Sequence, residues 1–139
     1  MKVFPGDLLY SREHTWVRAD NDSNLATVGI TDYAQEKMGE ILSIELPRED
    51  SFMERDDPFG IIESTKGVVE IVSPLSGEVI SVNEEVIDDA SIINTGSDTY
   101  DTGWLIVVEM KNLEELDDLI DAKEYYDFVV QELEDNDFL

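Results

Sequence analysis

Between residues 25 and 110 the chain alternates between short segments rich in Val and Ile and stretches of turn-forming residues. The apolar segments have the length of β-strands, and their regular spacing is typical of all-β sandwiches and barrels. We predict strands at Leu25 to Ile30, Ile41 to Leu46, Phe59 to Glu63, Val68 to Val72, Glu78 to Asn83 and Trp104 to Met110. The fold class is therefore expected to be mainly β, as a flattened β-sandwich or barrel.

Two of these segments have similar sequences. Residues 39–45 read Gly-Glu-Ile-Leu-Ser-Ile-Glu and residues 77–83 read Gly-Glu-Val-Ile-Ser-Val-Asn, with three identities and three apolar matches in seven positions. Each segment leads through an acidic loop to another strand. We interpret them as a repeat of two similar β units whose apolar faces bury one another. The alternative is a chance similarity between two antiparallel strands.

One short helix is expected inside the β region. Thr31 can cap a two-turn helix over Asp32 to Met38, because its hydroxyl can accept a hydrogen bond from the first turn. Gly39 follows and is expected to end the helix in the left-handed conformation.

The C-terminal part of the chain has helical rather than strand-like spacing. An amphipathic helix packed on the sheet is predicted by the positions of Leu113, Leu116, Leu119 and Ile120. A second short helix is expected from Ala122 to Val129, and the acidic residues 132–137 are expected to fray. Because 139 residues leave room for one domain, we assign residues 1–130 to a single domain and residues 131–139 to an acidic C-terminal tail.

The charge of the chain excludes some classes of partner. Nine Lys and Arg residues against 34 Asp and Glu residues give a net charge of −25, which repels nucleic acids and anionic membrane surfaces and favours basic faces of other proteins. The absence of cysteine excludes disulfides and thiol chemistry, and a single histidine excludes a multi-histidine metal centre. No leader peptide or membrane span is evident, so we expect a cytoplasmic protein.

One lysine lies where a tight turn is expected. Lys66 stands between two apolar runs, and Gly67 after it can supply the positive φ of a type I′ β-hairpin. Lys66 would then lie at the exposed tip, where an enzyme could attach a prosthetic group. The alternative is that Lys66 is an ordinary soluble turn residue.

The surrounding residues resemble a known family. The segment Glu63-Ser64-Thr65-Lys66, followed by Ser73-Pro74-Leu75-Ser76-Gly77-Glu78-Val79, resembles the lipoyl-attachment segment of the H protein of the glycine cleavage system. The resemblance extends from about Tyr10 to Phe128. Further similar segments are His14-Thr15-Trp16-Val17, Ala26 to Gln35, Glu45-Leu46-Pro47, Pro58-Phe59-Gly60, Ile93-Asn94, Gly103 to Ile106 and Ala122 to Tyr125.

The resemblance implies a fold and a function. It implies a barrel-sandwich hybrid in which lipoic acid is joined by an amide to Lys66. The protein would be a non-catalytic carrier that takes the aminomethyl group of glycine from glycine decarboxylase to the aminomethyltransferase. Dihydrolipoyl dehydrogenase would reoxidise the lipoyl group, and a lipoate ligase or a lipoyl/octanoyl transferase would attach it. A monomer is expected, because the carrier must visit several enzymes.

The resemblance also implies site residues around Lys66. The cofactor segment comprises Glu63, Ser64, Thr65, Gly67 and Glu70, and the two glutamates are candidates for recognition by the modifying enzyme. Solvated strand charges are the alternative for these glutamates. His14 and Thr15 are expected at the cleft that receives the arm, with His14 in a structural role.

Thr15 is a departure from the family pattern. The family has a Glu here, near the cleft, where it can hold the amine of the cargo by a charge-assisted hydrogen bond, whereas Thr offers only a neutral one. Glu13 is not expected to substitute, because neighbouring residues in an extended segment point to opposite faces.

Two other functions stay open at this point. An H-like protein could relay lipoyl groups to other enzymes or carry a different adduct. An unmodified protein with the same fold could act as an interaction or regulatory protein through its acidic surface.

Overall fold

The computed structural model describes residues 4–20, 22–94 and 99–137. Two antiparallel sheets form the molecule. The six-stranded sheet has the spatial order β1 (Leu9–Tyr10), β2 (Thr15–Asp20), β3 (Leu25–Ile30), β9 (Ile106–Met110), β8 (Gly77–Val82) and β5 (Phe52–Met53). The three-stranded sheet has the order β4 (Ile41–Glu45), β6 (Pro58–Ser64) and β7 (Gly67–Val72). The prediction of a mainly β, flattened sandwich or barrel-like fold is confirmed.

The two sheets share one hydrophobic core. Val28, Val79 and Val108 of the large sheet and Ile44 and Ile62 of the small sheet belong to the same buried cluster. All of these except Val28 alternate along their strands with more exposed residues, as expected for a sheet that has one face in a core. Burial of this shared face holds the small sheet, and with it the hairpin β6–β7, against the large one.

The two segments of the repeat occupy similar positions in the two sheets. β4 pairs antiparallel with β6, and β8 pairs antiparallel with β9. The pairing register is interrupted between Ile41 and Ser43 in the first pair and between Val79 and Ser81 in the second. These positions are equivalent in the alignment of the two segments. The shared irregularity favours a true repeat over a chance similarity.

Helix α1 (Asp32–Met38) has the predicted bounds. The Thr31 hydroxyl accepts a hydrogen bond of 3.2 Å from the Ala34 backbone N–H, as expected for its N-cap. Gly39 follows with φ +79°, in the range that favours glycine. A Cβ on Gly39 would lie 2.9 Å from the Thr65 hydroxyl oxygen, so this glycine also allows a close approach of the hairpin.

Two short helical segments lie between β8 and β9. They are α2 (Glu84–Asp88) and a 3₁₀ helix (Ala90–Asn94). The sequence analysis did not predict either of them, nor the strands β1, β2 and β5. Strands of two residues, such as β1 and β5, are too short to show an alternating pattern.

The predicted amphipathic helix beginning at Leu113 is wrong. The structure has a 3₁₀ helix, Leu113–Asp118, whose N-terminus is capped by the Asn112 side chain. Ile120 then forms an antiparallel bridge to Tyr10, with backbone hydrogen bonds of 2.8 and 2.9 Å. This bridge requires an extended backbone, so the α-helical spacing of the leucines cannot continue.

Helix α3 (Ala122–Asp137) is longer than predicted. The acidic stretch that was expected to fray is helical as far as Asp137, and the helix crosses the proposed boundary between residues 130 and 131. The division into a domain and a tail stays a prediction, and Phe138 and Leu139 lie outside the described residues. Among residues 4–20, 22–94 and 99–137, no helix is both long and apolar enough to span a lipid bilayer.

An aromatic cluster joins α3 to the large sheet. Tyr10, Trp16 and Tyr125 are fully buried, and the rings of Tyr10 and Tyr125 stack with centroids 4.7 Å apart. Tyr33 of α1 belongs to the same cluster. Side chains of α1 and α3 therefore meet in this cluster.

Candidate functional site

Lys66 lies at the tip of the hairpin formed by β6 and β7. Ser64 pairs with Gly67 across the hairpin, so the two turn residues are Thr65 and Lys66. The predicted type I′ turn, with Lys66 and Gly67 at its centre, is therefore placed one residue too late, and neither turn residue has a positive φ. The positive φ of Gly67 is confirmed, at +138°.

The Ser64 side chain explains the position of the turn. Its hydroxyl accepts a hydrogen bond from the Lys66 backbone N–H and donates one to the Gly67 carbonyl, each at 3.3 Å. These contacts close the loop over Thr65 and Lys66. Serine commonly forms such local bonds to the backbone of a turn.

The last turn of α1 and the residues between α1 and β4 contact the hairpin tip. The Thr65 backbone N–H donates a 2.9 Å hydrogen bond to the Glu40 carbonyl. The Lys66 side chain is exposed, and its Nζ lies 3.5 Å from the carbonyl oxygen of Lys37. No ion pair to Lys66 occurs within the described residues. The amine is thus placed by its neighbours but accessible to another protein.

A cavity of about 310 Å³ lies beside Lys66. Its lining combines residues of α1 with residues of the hairpin and of the segment before β2. These are Ala34, Lys37 and Met38 of α1, Ser64, Lys66, Gly67, Val68 and Val69 of the hairpin, and Glu13 and His14. We call this cavity the hairpin cleft. Its lining includes both apolar and charged side chains.

His14 lines the hairpin cleft in an unusual backbone conformation, with φ +71°. Its Nδ1 lies 2.8 Å from the Tyr125 hydroxyl, and its Nε2 lies 3.3 Å from the Glu132 Oε1. Burial lowers the pKa of His14, and the neighbouring Glu132 carboxylate partly opposes this effect. The imidazole is thereby favoured in its neutral form.

Thr15 does not line the hairpin cleft. It is fully buried, and its hydroxyl lies 2.7 Å from that of Ser11. Glu13 lines the cleft instead. The expectation that Glu13 would point away assumed an extended segment, but β2 begins only at Thr15 and His14 has a positive φ, so the alternation of faces does not apply.

Glu63 and Glu70 lie on the outward side of the small sheet. Glu63 is opposite Val68, and Glu70 is opposite Ile61. Paired positions share a face, so these four side chains lie together, and Glu45 joins them opposite Ile61. We call this surface the outer sheet face. It adjoins Lys66 and presents carboxylates around the exposed Ile61 and Val68, which have 39% and 67% of their surface accessible.

The sequence analysis missed Glu132. Its carboxylate accepts hydrogen bonds from the Tyr33 hydroxyl and, at 3.1 Å, from the Lys37 ammonium. Burial alone would raise the pKa of Glu132, but these two hydrogen bonds and the nearby positive charge lower it overall. A helical signal was present, because Glu132 follows Tyr125 by seven residues and Val129 by three, on the buried face of α3.

The chemistry available to this site is attachment of a group to the Lys66 amine. The Lys66 amine can form an amide when a modifying enzyme activates a carboxylic acid. Within the described part of the chain, no group of three or more His, Cys, Asp or Glu side chains is arranged to hold a metal ion. The hairpin cleft can receive a small attached group beside the amine.

Comparisons with known proteins all find similarity to the same family. A family model described as Glycine cleavage H-protein matches residues 8–132. The glycine cleavage system H protein of Carboxydothermus hydrogenoformans is 42% identical over 132 residues, covering 95% of this chain and 98% of the relative. That of Anoxybacillus flavithermus is 41% identical over 128 residues, covering 92% and 98%.

A solved structure is also similar. The crystal structure of a glycine cleavage system H protein from Mycobacterium marinum superposes with a TM-score of 0.79 at 33% identity. The superposition covers 88% of this chain and 95% of that one. The likeness therefore extends over most of both chains.

Proposed function

The chain belongs to the glycine cleavage H-protein family, and on that premise we propose that Lys66 is the residue that carries the lipoyl group. Proteins of this family hold lipoic acid covalently on a lysine and are non-catalytic carriers. This chain is accordingly the lipoyl carrier of a glycine cleavage system. The observation that carries the assignment to Lys66 is its place at an exposed hairpin tip beside the hairpin cleft.

The residues at this site fit a lipoyl group. Met38 and Val69 offer an apolar wall for an aliphatic chain, and the Lys66 side chain lines the same cleft. When bound, the lipoyl group supplies the two sulfurs that take up and hand over the one-carbon unit of glycine. Glu13 and His14 are the polar groups of this chain that we propose to lie near the distal end of the arm.

The protein's own contribution is tethering and placement. The paired strands of the hairpin and the hydrogen bond from Thr65 to the Glu40 carbonyl hold the Lys66 backbone in one place. A group fixed there is presented to each docked enzyme at a high effective concentration. No side chain of the carrier needs to take part in the chemistry.

We propose specific partners for the two surfaces next to Lys66. A carrier in this system interacts with the other glycine cleavage enzymes, and the finer assignment is to glycine decarboxylase, the aminomethyltransferase and dihydrolipoyl dehydrogenase. A lipoate ligase or a lipoyl/octanoyl transferase would modify Lys66. The outer sheet face, with Glu45, Glu63 and Glu70, supports docking to basic protein surfaces. A monomer in the cytoplasm remains our prediction.

Intact-mass measurement tests the attachment site. The chain is expressed in a host supplied with lipoate and an active ligase, and the wild type is expected to gain the mass of one lipoyl group. Lys66→Arg should remove this gain. Lys123→Arg, at an exposed lysine of α3, should retain it. An unmodified wild type, or a lipoylated Lys66→Arg variant, would contradict the assignment.

Reconstitution tests the role in glycine cleavage. The lipoylated protein is combined with glycine decarboxylase, and exchange of labelled carbon dioxide with the glycine carboxyl group is measured. We expect exchange that depends on both the carrier and Lys66. Exchange at background with a fully lipoylated carrier would instead favour a relay of lipoyl groups to other enzymes.

A further inference from the structure

One carboxylate of α3 joins three side chains at the hairpin cleft. Glu132 binds the hydroxyl of Tyr33, the ammonium of Lys37 at 3.1 Å and the imidazole of His14 at 3.3 Å. Tyr33 and Lys37 are both on α1, one turn apart, so their side chains lie on the same face of the helix. Glu132 therefore contacts α1 through two of its side chains, Tyr33 and Lys37.

Helix α1 and the residues between α1 and β4 also contact the hairpin tip. The Lys37 carbonyl and the Glu40 carbonyl face Lys66 and Thr65. Lys37 thus contacts Glu132 through its side chain and Lys66 through its backbone. The cleft is lined by α1 and by the hairpin, so its width depends on where α1 lies.

We propose that Glu132 is a positioning residue that holds α1 against the Lys66 hairpin and so sets the width of the hairpin cleft. It acts through Tyr33, Lys37 and His14 and touches no reacting atom. The use of the cleft as a seat for the Lys66-linked arm rests on the proposed function. The position of α1 relative to the hairpin does not depend on that function.

A second contact between α1 and α3 does not involve Glu132. The Tyr125 hydroxyl of α3 lies 2.8 Å from the hydroxyl of Thr31, the N-cap of α1. Tyr125 and Val129 are buried. Without Glu132, these contacts still join the N-terminal end of α1 to α3, so we expect the larger displacement at its C-terminal end, next to Lys66.

Spin-label distances test this inference in the unmodified chain. The sequence lacks cysteine, so a pair introduced at Glu36 of α1 and Glu63 of β6, both exposed, can be labelled selectively. Double electron–electron resonance should give one narrow distance distribution in the parent pair. Glu132→Ala should shift the distribution to longer distances and broaden it. Glu134→Gln, an exposed residue of the same helix, should leave it unchanged.

His14 supplies an independent signal. It is the only histidine, so its imidazole resonances can be followed by NMR without assignment. The groups facing it are Glu132, Tyr125, Tyr33, Lys37 and Glu13. Glu132→Gln keeps an acceptor for Tyr33 but removes the charge, and the pKa of His14 is expected to fall because the carboxylate that favours its protonated form is lost. Glu132→Asp keeps the negative charge, so the pKa of His14 should fall less in that variant.

The outcomes distinguish this inference from the attachment proposal. A wild-type distance distribution in Glu132→Ala would overturn it, as would an unchanged His14 titration in a folded Glu132→Gln variant. If Glu132→Ala does not fold, the distances in Glu132→Gln decide the question. None of these measurements requires lipoylation, so an unmodified Lys66 would refute the attachment site without affecting this test.

Discussion

The placement of Lys66 in the turn depends on the conformations of the residues beside it. Ser64 closes the turn with its side chain, and Gly67 begins β7 with φ +138°. A Cβ placed on Gly67 would have no atom within 4 Å, so space is not the reason for glycine there. The backbone conformation is the reason, because side chains disfavour this region.

We expect Gly67→Ala to destabilise the protein by about 1 to 2 kcal/mol through backbone strain. The strain falls next to Lys66, so the rate of modification at that lysine should also decrease. Urea unfolding and intact-mass time courses measure the two effects. Gly6→Ala is the matched control, since its Cβ would also meet no atom within 4 Å and its φ is not positive. Equal stability of the two variants would contradict the strain argument.

A second residue-scale prediction concerns acid stability. Burial lowers the pKa of His14 below its ordinary value of 6.5. The unfolded chain therefore binds a proton there at a higher pH than the folded chain does, so stability is full above pH 6.5 and decreases as the pH falls through the folded pKa. The midpoint of thermal unfolding should drop over this window in the wild type. The drop should be smaller in His14→Gln, and identical pH profiles would refute the prediction.

At the scale of elements, α1 links the large sheet, α3 and the hairpin. Its N-cap Thr31 connects α1 to α3. The Thr31 hydroxyl accepts a hydrogen bond from the Ala34 backbone N–H and also contacts the Tyr125 hydroxyl of α3. Its last turn meets the hairpin tip through Lys37. A change in how α1 begins should therefore affect a site at its other end.

Thr31→Val keeps the shape of the side chain and removes both of its hydrogen bonds. We expect a loss of about 1 to 2 kcal/mol in the free energy of unfolding, measured in urea. Thr31→Ser retains the hydroxyl and should lose less. A Thr31→Val variant as stable as Thr31→Ser would show that the cap contributes little.

For the whole molecule, the net charge of −25 is the dominant long-range property. Such a charge accelerates encounter with basic surfaces and makes the association rate fall as salt is added. The outer sheet face places part of this negative charge next to Lys66, because Glu63 and Glu70 lie there. Local placement, rather than the total charge, should decide which partner reaches the lysine.

We therefore expect Glu63→Gln with Glu70→Gln to slow modification of Lys66 by about tenfold at low salt and to reduce its salt dependence. Glu114→Gln with Glu134→Gln removes the same charge at exposed positions elsewhere and should have little effect. Ligase kinetics at several ionic strengths measure both pairs. The same rate for the two pairs would mean that only net charge matters.

Local patterns in the sequence were enough to predict six of the nine strands within the described residues, helix α1 with its cap, and the hairpin that presents Lys66, because each depends on residues a few positions apart. The turn was misplaced by one residue, since the Ser64 side chain closes it. The helix at Leu113 was wrong because a bridge to Tyr10, far away in the chain, extends the backbone at Ile120.

The composition of the cleft was decided only by the tertiary structure. Glu13 lines it and Thr15 does not, because the backbone turns at His14. Glu132 reaches His14 across 118 residues of sequence, through the packing of α3 on an aromatic cluster. Contacts of this kind follow from how separate elements pack, and no short stretch of sequence contains both partners.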